Sequence, residues 1–321
     1  QRQMCIRDRA THLLPQFLRP RNFDCDLALD GIRQMLWGFF KKVVVADNCA
    51  LFVNGVFENY QTLDGSTLFL GAFFFTIQIY GDFSGYSDIA IGCARLFGID
   101  LMQNFKYPYF SRDIAEFWRR WHISLTTWFR DYIYIPLGGS RAGKWKSFRN
   151  TLVIFLVSGF WHGANWTFVA WGAYHALLFL PLLLLGQNRR YRDSVAENSF
   201  LPSVKELTQM GVTFLLVLLG WILFRSEDIS QAAVYLERMF NASLFSAPQL
   251  VGLGFGQLLL KKCFFFTALM FIVEWIGRKQ AHGLMIEDLS LPVRYVIYTV
   301  LLIIIYGFDA SNPQGFIYFQ F

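Results

Sequence analysis

Long apolar runs alternate with short charged segments along this chain, which is the pattern of a protein with several membrane-crossing helices. The longest stretch without Asp, Glu, Lys or Arg covers 150–188, and it is long enough for two crossings at about 20 residues each. The other apolar runs, some of them interrupted by a few charges, are 35–57, 65–81, 89–99, 207–224, 251–276 and 295–308. The sequence therefore predicts an all-α, polytopic integral membrane protein.

A polar string separates two of these runs. Residues 81–88 read GDFSGYSD and place two glycines and two carboxylates between apolar segments. Because glycine weakens a helix, we expect the helix to break here. Asp82 and Asp88 would then either cap the broken helix or line a polar path through the membrane.

The segment 111–130 is amphipathic. At 100° per residue its apolar and polar side chains fall on two arcs, which predicts an interfacial helix with aromatic residues towards the membrane. The apolar arc contains Ile114, Phe117, Trp118, Trp121, Leu125, Trp128 and Phe129, and the polar arc contains Arg112, Glu116, Arg119, Arg120, Thr127 and Arg130. His122 lies at the edge of the apolar arc. An ordinary membrane-surface anchor is the alternative interpretation.

Composition and charge agree with a membrane protein. Charged residues make up 16% of the chain, against about 25% in soluble domains. Lys and Arg number nine in 106–149 and four in 189–206, but only two in 225–250. The positive-inside rule then places 106–149, 189–206 and the region near residue 278 in the cytoplasm, and 225–250 and the C-terminus outside. The formal charge of +6 fits these loops and contact with anionic lipids, so we expect no nucleic-acid partner.

Several common chemistries lack their motifs. The five cysteines form no CxxC pair, so the sequence predicts neither a disulfide framework nor a zinc site. It contains no HExxH motif and no GxxxxGK[ST] phosphate loop. Residues 85–89, GYSDI, lack the last glycine of a hydrolase nucleophile elbow, and Thr127 and Thr167 stand where an HxxxxD pair needs Asp. We therefore expect no metal and no bound cofactor.

His162 is the candidate catalytic residue because it lies inside the charge-free stretch 150–188. An ionisable group there is costly, so it indicates function, and an imidazole is suited to act as a general base. We expect it to be buried among apolar groups, with Asn165, Trp161 or backbone N–H groups near Gly163 as donors to an oxyanion. A histidine that only packs between helices is the alternative, and it is the favoured interpretation for His175.

Three long strings carry a resemblance to a known family. They are GDFSGYSDIAIGCARLFGIDLMQNFKYPY at 81–109, FWRRWHISLTTWFRDYIYIPLGG at 117–139 and SGFWHGANWTFVAWGAYHA at 158–176. In this order they resemble the signature blocks of membrane-bound O-acyltransferases, most of all the bacterial alginate O-acetyltransferase-like branch, to which the teichoic acid D-alanyl transfer protein is related. The resemblance implies a helical fold with a transmembrane tunnel and interfacial or re-entrant helices.

The same resemblance implies an activity and a site. The family's invariant histidine corresponds to His162 and its second motif histidine to His122. An acyl group would pass from a cytoplasmic thioester donor, such as acetyl-CoA, towards an extracytoplasmic polysaccharide at the bacterial inner membrane. A separate extracytoplasmic acetyltransferase would be the partner, besides membrane lipids. The candidates for lining the tunnel are Asp88, Trp118, Arg119, Trp121, Asp131, Tyr132, Trp161 and Asn165.

The chain is expected to form a single domain after a short leader. Residues 1–9, QRQMCIRDR, continue no pattern that follows and are expected to be a non-native leader. Residues 10–321 are expected to form one membrane domain that lacks N-terminal helices of the family. D-alanyl or other acyl transfer to a cell-envelope polymer, a non-catalytic scaffold and a transporter stay open as functions, although a transporter would be expected to show repeats between its halves.

Overall fold

A computed structural model describes residues 10–141, 143–250, 257–308 and 315–316, and regular structure in these ranges is helical, without strands. The expected leader 1–9 and the first part of the run 251–276 lie outside the described residues. The α-helices are α1 (Ala10–Leu18), α2 (Cys25–Phe39), α3 (Asp47–Glu58), α4 (Gly65–Leu96), α5 (Ile114–Arg120), α6 (Ile123–Phe129), α7 (Lys144–His162), α8 (Trp166–Leu184), α9 (Val204–Arg225), α10 (Ile229–Met239), α11 (Gln257–Ile276) and α12 (Leu291–Gly307). Two π-helices, Phe40–Ala46 and Arg130–Tyr134, follow α2 and α6.

Side-chain caps set several helix starts. Ser203 and Glu206 form a reciprocal capping box at the start of α9. The side chains of Asp113 and Asn165 accept hydrogen bonds from Glu116 N and Thr167 N at the starts of α5 and α8. Each cap satisfies a backbone donor that has no partner inside the helix, and a cap of this kind contributes about 1 kcal/mol.

Within the described residues, α8 and α9 are long and apolar enough to cross a bilayer. They correspond to the second half of the predicted run 150–188 and to the run 207–224. α12 is also apolar but has only 17 residues. The prediction of a helical protein is therefore confirmed, whereas the predicted number of crossings stays a prediction.

The described residues divide into two compact units. The first contains those of 1–58, 73–104 and 250–320, and the second contains those of 59–72 and 105–249.

In the first unit, α4 corrects the prediction of a helix break at 81–88. The helix continues through this string, because its glycines serve close packing rather than a turn. A Cβ on Gly85 would come within 2.7 Å of Gly38 O, and one on Gly92 within 2.3 Å of Gly31 O. These contacts show that α4 and α2 pack backbone to backbone.

The carboxylates of the same string are paired inside the first unit. Lys41 Nζ lies 2.5 Å from Asp88, and Lys42 Nζ lies 2.6 Å from Asp82. Asp88 also accepts a 2.7 Å hydrogen bond from Gln34. Buried charges of this kind are tolerated because each has an opposite charge and hydrogen bonds. Asp82 therefore pairs within the protein and does not cap a broken helix.

In the second unit, α7 and α8 form an antiparallel hairpin with a three-residue turn at 163–165. Glycines let the two helices approach closely, because a Cβ on Gly159 would lie 2.2 Å from Phe168 O and one on Gly172 would lie 2.3 Å from Phe155 O. The run 150–188 thus gives two helices, as predicted. His162, the last residue of α7, lies at the tip of this hairpin.

The predicted continuous helix over 111–130 is wrong. α5 and α6 are separated at Trp121 and His122, and His122 has a φ of +45° in the left-handed region. Most of the aromatic arc is buried inside the unit, with Phe117 and Trp121 almost fully covered by protein, whereas Trp118 and Trp128 are half-buried. The sequence identified the apolar arc correctly, but the arc packs against the protein core.

One part of the predicted polar arc is buried as well. Glu116 is only 1% exposed and accepts hydrogen bonds from Arg112 at 3.0 Å and from Arg120 at 2.7 Å. The charge–charge pairs and the bond from Arg112 N to Glu116 compensate the desolvation of the carboxylate. The helical spacing alone predicted that Glu116 faces solvent, because spacing does not take ion pairs with other residues into account.

Candidate active site

His162 is half-buried at the end of α7, surrounded by aromatic rings. The centroid of its imidazole lies 5.1 Å from Trp161, 5.3 Å from Trp171 and 5.1 Å from Phe224. The expectation of a buried imidazole is therefore corrected to a half-buried one. The charge-free stretch is interrupted by the turn of the hairpin, and this turn leaves His162 partly accessible.

Trp161 and Asn165, the other two candidates in the string 158–176, lie on either side of His162 in the sequence. Trp161 is 42% exposed and meets the His162 ring at an interplanar angle of 73°. Asn165 caps α8 by accepting from Thr167 N at 3.1 Å, and its amide donates to Glu227 O at 2.5 Å. The Asn165 amide therefore ties the hairpin tip to the connection between α9 and α10. The backbone N–H of Gly163 donates to Phe160 O at 3.3 Å.

His122 is buried, with 2% of its surface exposed, at the break between α5 and α6. Its ring stacks on Phe105, with centroids 6.5 Å apart and planes within 9°. A positive φ in a residue other than glycine costs free energy of about 1–3 kcal/mol, and such residues are concentrated at functional sites. The break turns the chain so that His122 follows Trp121 into the core.

A row of rings joins the two imidazoles. The row starts at His122, which stacks on Phe105. The ring centroids of Phe105 and Trp121 are 5.0 Å apart, and those of Trp121 and Trp221 are also 5.0 Å apart. Trp171 follows at 5.8 Å from Trp221, and His162 lies 5.3 Å from Trp171. Trp118 and His175 flank the row, and each lies within 5.6 Å of Trp171. We call this set the aromatic cluster; its members are Phe105, Trp118, Trp121, His122, His162, Trp171, His175 and Trp221.

Four side chains of the aromatic cluster, those of Trp118, Trp171, His175 and Trp221, contain buried polar atoms without a hydrogen-bond partner in the part of the chain that the structure describes. Among the described residues, no protein atom hydrogen-bonds to the indole N–H of Trp118, Trp171 or Trp221, or to either ring nitrogen of His175. A buried donor without an acceptor costs about 1–3 kcal/mol, and native proteins contain only a few such groups per hundred residues. Four such side chains in one cluster indicate a region suited to a polar guest, such as a carbonyl oxygen.

His175 is a residue whose place in the site the sequence did not indicate. It is fully buried in the middle of α8, and a Cβ on Gly220 would lie 2.7 Å from its Nε2. Its ring meets Trp118 and Trp171 at 5.0 and 5.1 Å. The spacing between Trp171 and His175 could have indicated this place from the sequence, because residues four apart share one face of a helix.

The remaining candidates lie in four places. Trp118 and Trp121 belong to the aromatic cluster, whereas Arg119 points the other way and donates to Asn188 O at 2.6 Å and to Tyr191 O. On the second π-helix, Asp131 pairs with Arg130, and the exposed Tyr132 ring lies 5.1 Å from Trp128. Asp88 belongs to the first unit, where Lys41 neutralises it.

Comparison with known proteins matches more than half of the chain to one protein family. Residues 32–200 match the MBOAT, membrane-bound O-acyltransferase family. The probable alginate O-acetylase AlgI of Pseudomonas aeruginosa is 40% identical over 253 residues, which are 77% of this chain and 46% of that protein. The peptidoglycan O-acetyltransferase of Helicobacter pylori is 38% identical over 224 residues, 70% of this chain and 40% of that protein.

A more distant relative is the teichoic acid D-alanyltransferase of Bacillus subtilis, which is 29% identical over 214 residues, 63% of this chain and 52% of that protein. The chain spans about half or less of the length of these relatives. The family match covers more than half of the chain and includes His122 and His162. The chain therefore belongs to the membrane-bound O-acyltransferase family.

Proposed function

We propose that the protein is an O-acyltransferase that takes an acetyl group from a cytoplasmic thioester donor and moves it across the bacterial inner membrane for O-acetylation of an extracellular polysaccharide. The aromatic cluster carries this proposal, because it links two imidazoles and contains N–H groups without partners. In this proposal the chain crosses the membrane several times, with α8 and α9 among its spans.

His162 is the general base of the proposed reaction. An acceptor hydroxyl gives its proton to an imidazole nitrogen, and its oxygen attacks the thioester carbonyl. The new C–O bond forms as the C–S bond breaks, and the thiolate leaves and recovers a proton. The half-buried position at the hairpin tip suits this role, because the acceptor must reach the imidazole while apolar rings cover its other side.

Trp171 is the proposed donor to the oxyanion that develops on the acyl carbonyl. Its indole N–H is buried and unpaired, and its ring lies 5.3 Å from that of His162. A donor that is already desolvated and oriented costs nothing to reorganise when charge develops, and removing one such donor typically lowers a rate by about 10²–10³-fold. Trp118 and Trp221 offer further N–H groups along the row.

His122 supports the reaction from the donor side. The positive-inside rule favours a cytoplasmic position for 106–149, and the approach to His122 is proposed to lie on that face. The segment α5–α6 brings His122 from this side into the aromatic cluster. In the proposed path the thioester enters past His122, and the acyl carbon reaches His162 at the opposite end of the row.

The acyl group is proposed to pass to a second, extracytoplasmic acetyltransferase rather than directly to a long glycan. α10, in the segment predicted to lie outside, is anchored by Tyr235, whose hydroxyl donates to Leu68 O at 2.7 Å. Phe240, at its end, is 60% exposed and would be available to a partner. Reconstitution of the protein with donor and polymer but no partner tests this: efficient polymer acylation would rule out the relay.

The test of the activity is a His162→Ala variant expressed in a deletion strain, with acetate on the envelope polymer as the readout. His12, an exposed histidine of α1, provides the matched control His12→Ala. We expect transfer to fall by about 10²–10⁴-fold for His162→Ala, as for loss of a general base, and to be unchanged for the control. A scaffold or a transporter would keep its activity in both variants. Mass spectrometry of the polymer distinguishes acetyl from D-alanyl transfer.

A further inference from the structure

A buried ionic group belongs to the first unit and takes no part in the proposed reaction. Its centre is Lys41 of the first π-helix, which faces two carboxyl groups, Asp88 on α4 and Glu274 on α11. The side chains of Lys41 and Glu274 are only 4% and 2% exposed. Gln34 and Tyr80 each hydrogen-bond to one of the two carboxyl groups. We call these five residues the Lys41 group.

Lys41 serves the two carboxyl groups unequally. Its Nζ atom lies 2.5 Å from Asp88, which is a short charged hydrogen bond, but 3.9 Å from Glu274, which is beyond hydrogen-bond reach. Among the described residues, no other cation lies within ion-pair distance of Glu274. Burying a carboxylate without a counter-charge of its own is so costly that such a group takes up a proton instead.

The contacts between Glu274 and Tyr80 agree with a proton on the carboxyl group. The Tyr80 hydroxyl lies 2.8 Å from one carboxyl oxygen and 2.9 Å from the other. A tyrosine hydroxyl has one hydrogen to donate and lone pairs that accept, whereas an ionised carboxylate can only accept. In a protonated Glu274, the carboxyl O–H donates to the Tyr80 oxygen while the Tyr80 hydroxyl donates to the other carboxyl oxygen. Each of the two short distances then has a hydrogen of its own.

The Gln34 carboxamide gives Asp88 a neighbour that can also accept a proton. This side chain is 2% exposed, and its amide donates a 2.7 Å hydrogen bond to Asp88. The oxygen of the same carboxamide has no hydrogen-bond partner among the described residues. A half-turn of the carboxamide exchanges its nitrogen and oxygen, so Gln34 can accept from a protonated Asp88 as well as donate to an ionised one. Each carboxyl group therefore has a buried partner for a proton.

Other charged side chains of the surrounding helices are occupied elsewhere. Their pairs are Lys42 with Asp47 and Asp82, Arg33 with Glu287, and Asp30 with Arg95 and His282. On α11, the guanidinium of Arg278 lies over the Trp275 ring, 4.5 Å from its centroid. The Lys41 group is therefore left with one ammonium for two carboxyl groups.

We propose that the Lys41 group is a proton-binding site between α4 and α11, with one proton held on Glu274 at neutral pH. Glu274 is then neutral, Lys41 and Asp88 form a balanced pair, and Tyr80 joins the two helices by two hydrogen bonds. Loss of the proton leaves two carboxylates around one ammonium. Their repulsion then acts between α4 and α11.

The bound proton links the stability of the protein to pH. An exposed glutamate is ionised at neutral pH, so unfolding releases the proton of Glu274 to water. When the folded state binds one proton more than the unfolded state, stability falls as the pH rises, by about tenfold in the unfolding equilibrium constant per pH unit. Salt-bridged carboxylates have the opposite effect, because the folded state keeps them ionised.

Infrared spectroscopy of the purified chain in detergent micelles detects the proton directly, because a protonated carboxyl group has a carbonyl stretch that an ionised one lacks. The test variant is Glu274→Gln, whose carboxamide can keep both hydrogen bonds to Tyr80. The control is Glu58→Gln, at an exposed glutamate of the same unit. Tyr80→Phe removes the proposed partner of the proton and leaves the carboxyl group in place.

We expect the wild type to show the protonated band at neutral pH and to lose it at alkaline pH. The band should be missing in Glu274→Gln, unchanged in Glu58→Gln and shifted in frequency in Tyr80→Phe. The unfolding equilibrium constants of the wild type and Glu274→Gln should diverge by about tenfold per pH unit from mildly acidic to neutral pH, in favour of the variant. The control should keep a constant difference from the wild type.

A band that survives in Glu274→Gln, or a wild type without the band at neutral pH, would overturn the proposal. If Glu274→Gln does not fold, the Tyr80→Phe spectrum decides, because an unshifted band excludes Glu274 as its source. Stabilisation by sodium ions in the wild type but not in Glu274→Gln, without the band, would show a metal cation in place of the proton and would also overturn it. None of these outcomes depends on His162, so the proposed acyl transfer is tested separately.

Discussion

Replacing Gly159 by alanine should separate the helices that position His162. The added Cβ would lie 2.2 Å from Phe168 O and 2.9 Å from Phe168 C, both backbone atoms that cannot rotate away. Restoring an ordinary contact requires α7 and α8 to move apart by about 1 Å. Overpacking of this kind costs about 1–3 kcal/mol, and the better helix propensity of alanine returns up to about 1 kcal/mol. We therefore expect a net loss of stability of about 1–2 kcal/mol.

The matched control is Gly211→Ala in α9, because a Cβ at Gly211 would meet no heavy atom within 4 Å. This variant should be unchanged or up to about 1 kcal/mol more stable. Unfolding of both variants in mixed detergent micelles measures the difference. Transfer should fall for Gly159→Ala as well, since a 1 Å displacement of a catalytic group can cost about 10²-fold in rate. Equal stability of Gly159→Ala and wild type would refute the close packing of the hairpin.

Three further outcomes follow from the same contacts. Glu116→Gln should destabilise the protein by about 3–5 kcal/mol because it removes the carboxylate that pairs with the buried Arg120 and one of the two that pair with Arg112. Asp131→Asn, at a more exposed pair, should change stability by less than about 1 kcal/mol, and comparative unfolding checks both variants. Trp171→Phe should keep the fold but lower acyl transfer by about 10²–10³-fold, and a wild-type rate would exclude its N–H from the reaction. His175→Phe should raise the melting temperature, because it removes buried ring nitrogens without partners; a lower melting temperature would indicate that the imidazole has a bound partner.

Helices with a uniform apolar character could be predicted from the sequence. α9 covers the run 207–224 with small extensions, and the run 150–188 gave two helices. The start of α8 was also readable, since Asn165 is a good N-cap residue. These elements depend on local hydrophobicity and capping, which a sequence displays directly.

The features that the sequence did not reveal depend on tertiary partners. Gly85 was part of a predicted helix break, yet it allows close contact between α4 and α2 because a facing helix is present. Glu116 falls on the polar arc, yet two arginines make its burial possible. The break at His122 requires a positive φ, which the neighbouring residues do not predict. Each was misjudged because its cause lies in residues distant in sequence or in backbone strain.

Part of the candidate site could be predicted from the sequence. His122 and His162 were identified from their motifs, and both belong to the aromatic cluster. The contribution of Trp221 could not be anticipated, because it comes from α9, far along the chain. Hydrophobic periodicity treats such a tryptophan as ordinary core, and only the structure reveals its N–H without a partner.

The role of His162 as the base of acyl transfer is tested most directly by the rate of acetyl transfer by His162→Gln in isolated membranes, normalised to the amount of inserted protein. Glutamine keeps a polar side chain of similar size but cannot accept a proton near neutral pH. We expect a rate at least about 10²-fold below that of the wild type, with unchanged insertion. A rate equal to that of the wild type would contradict it.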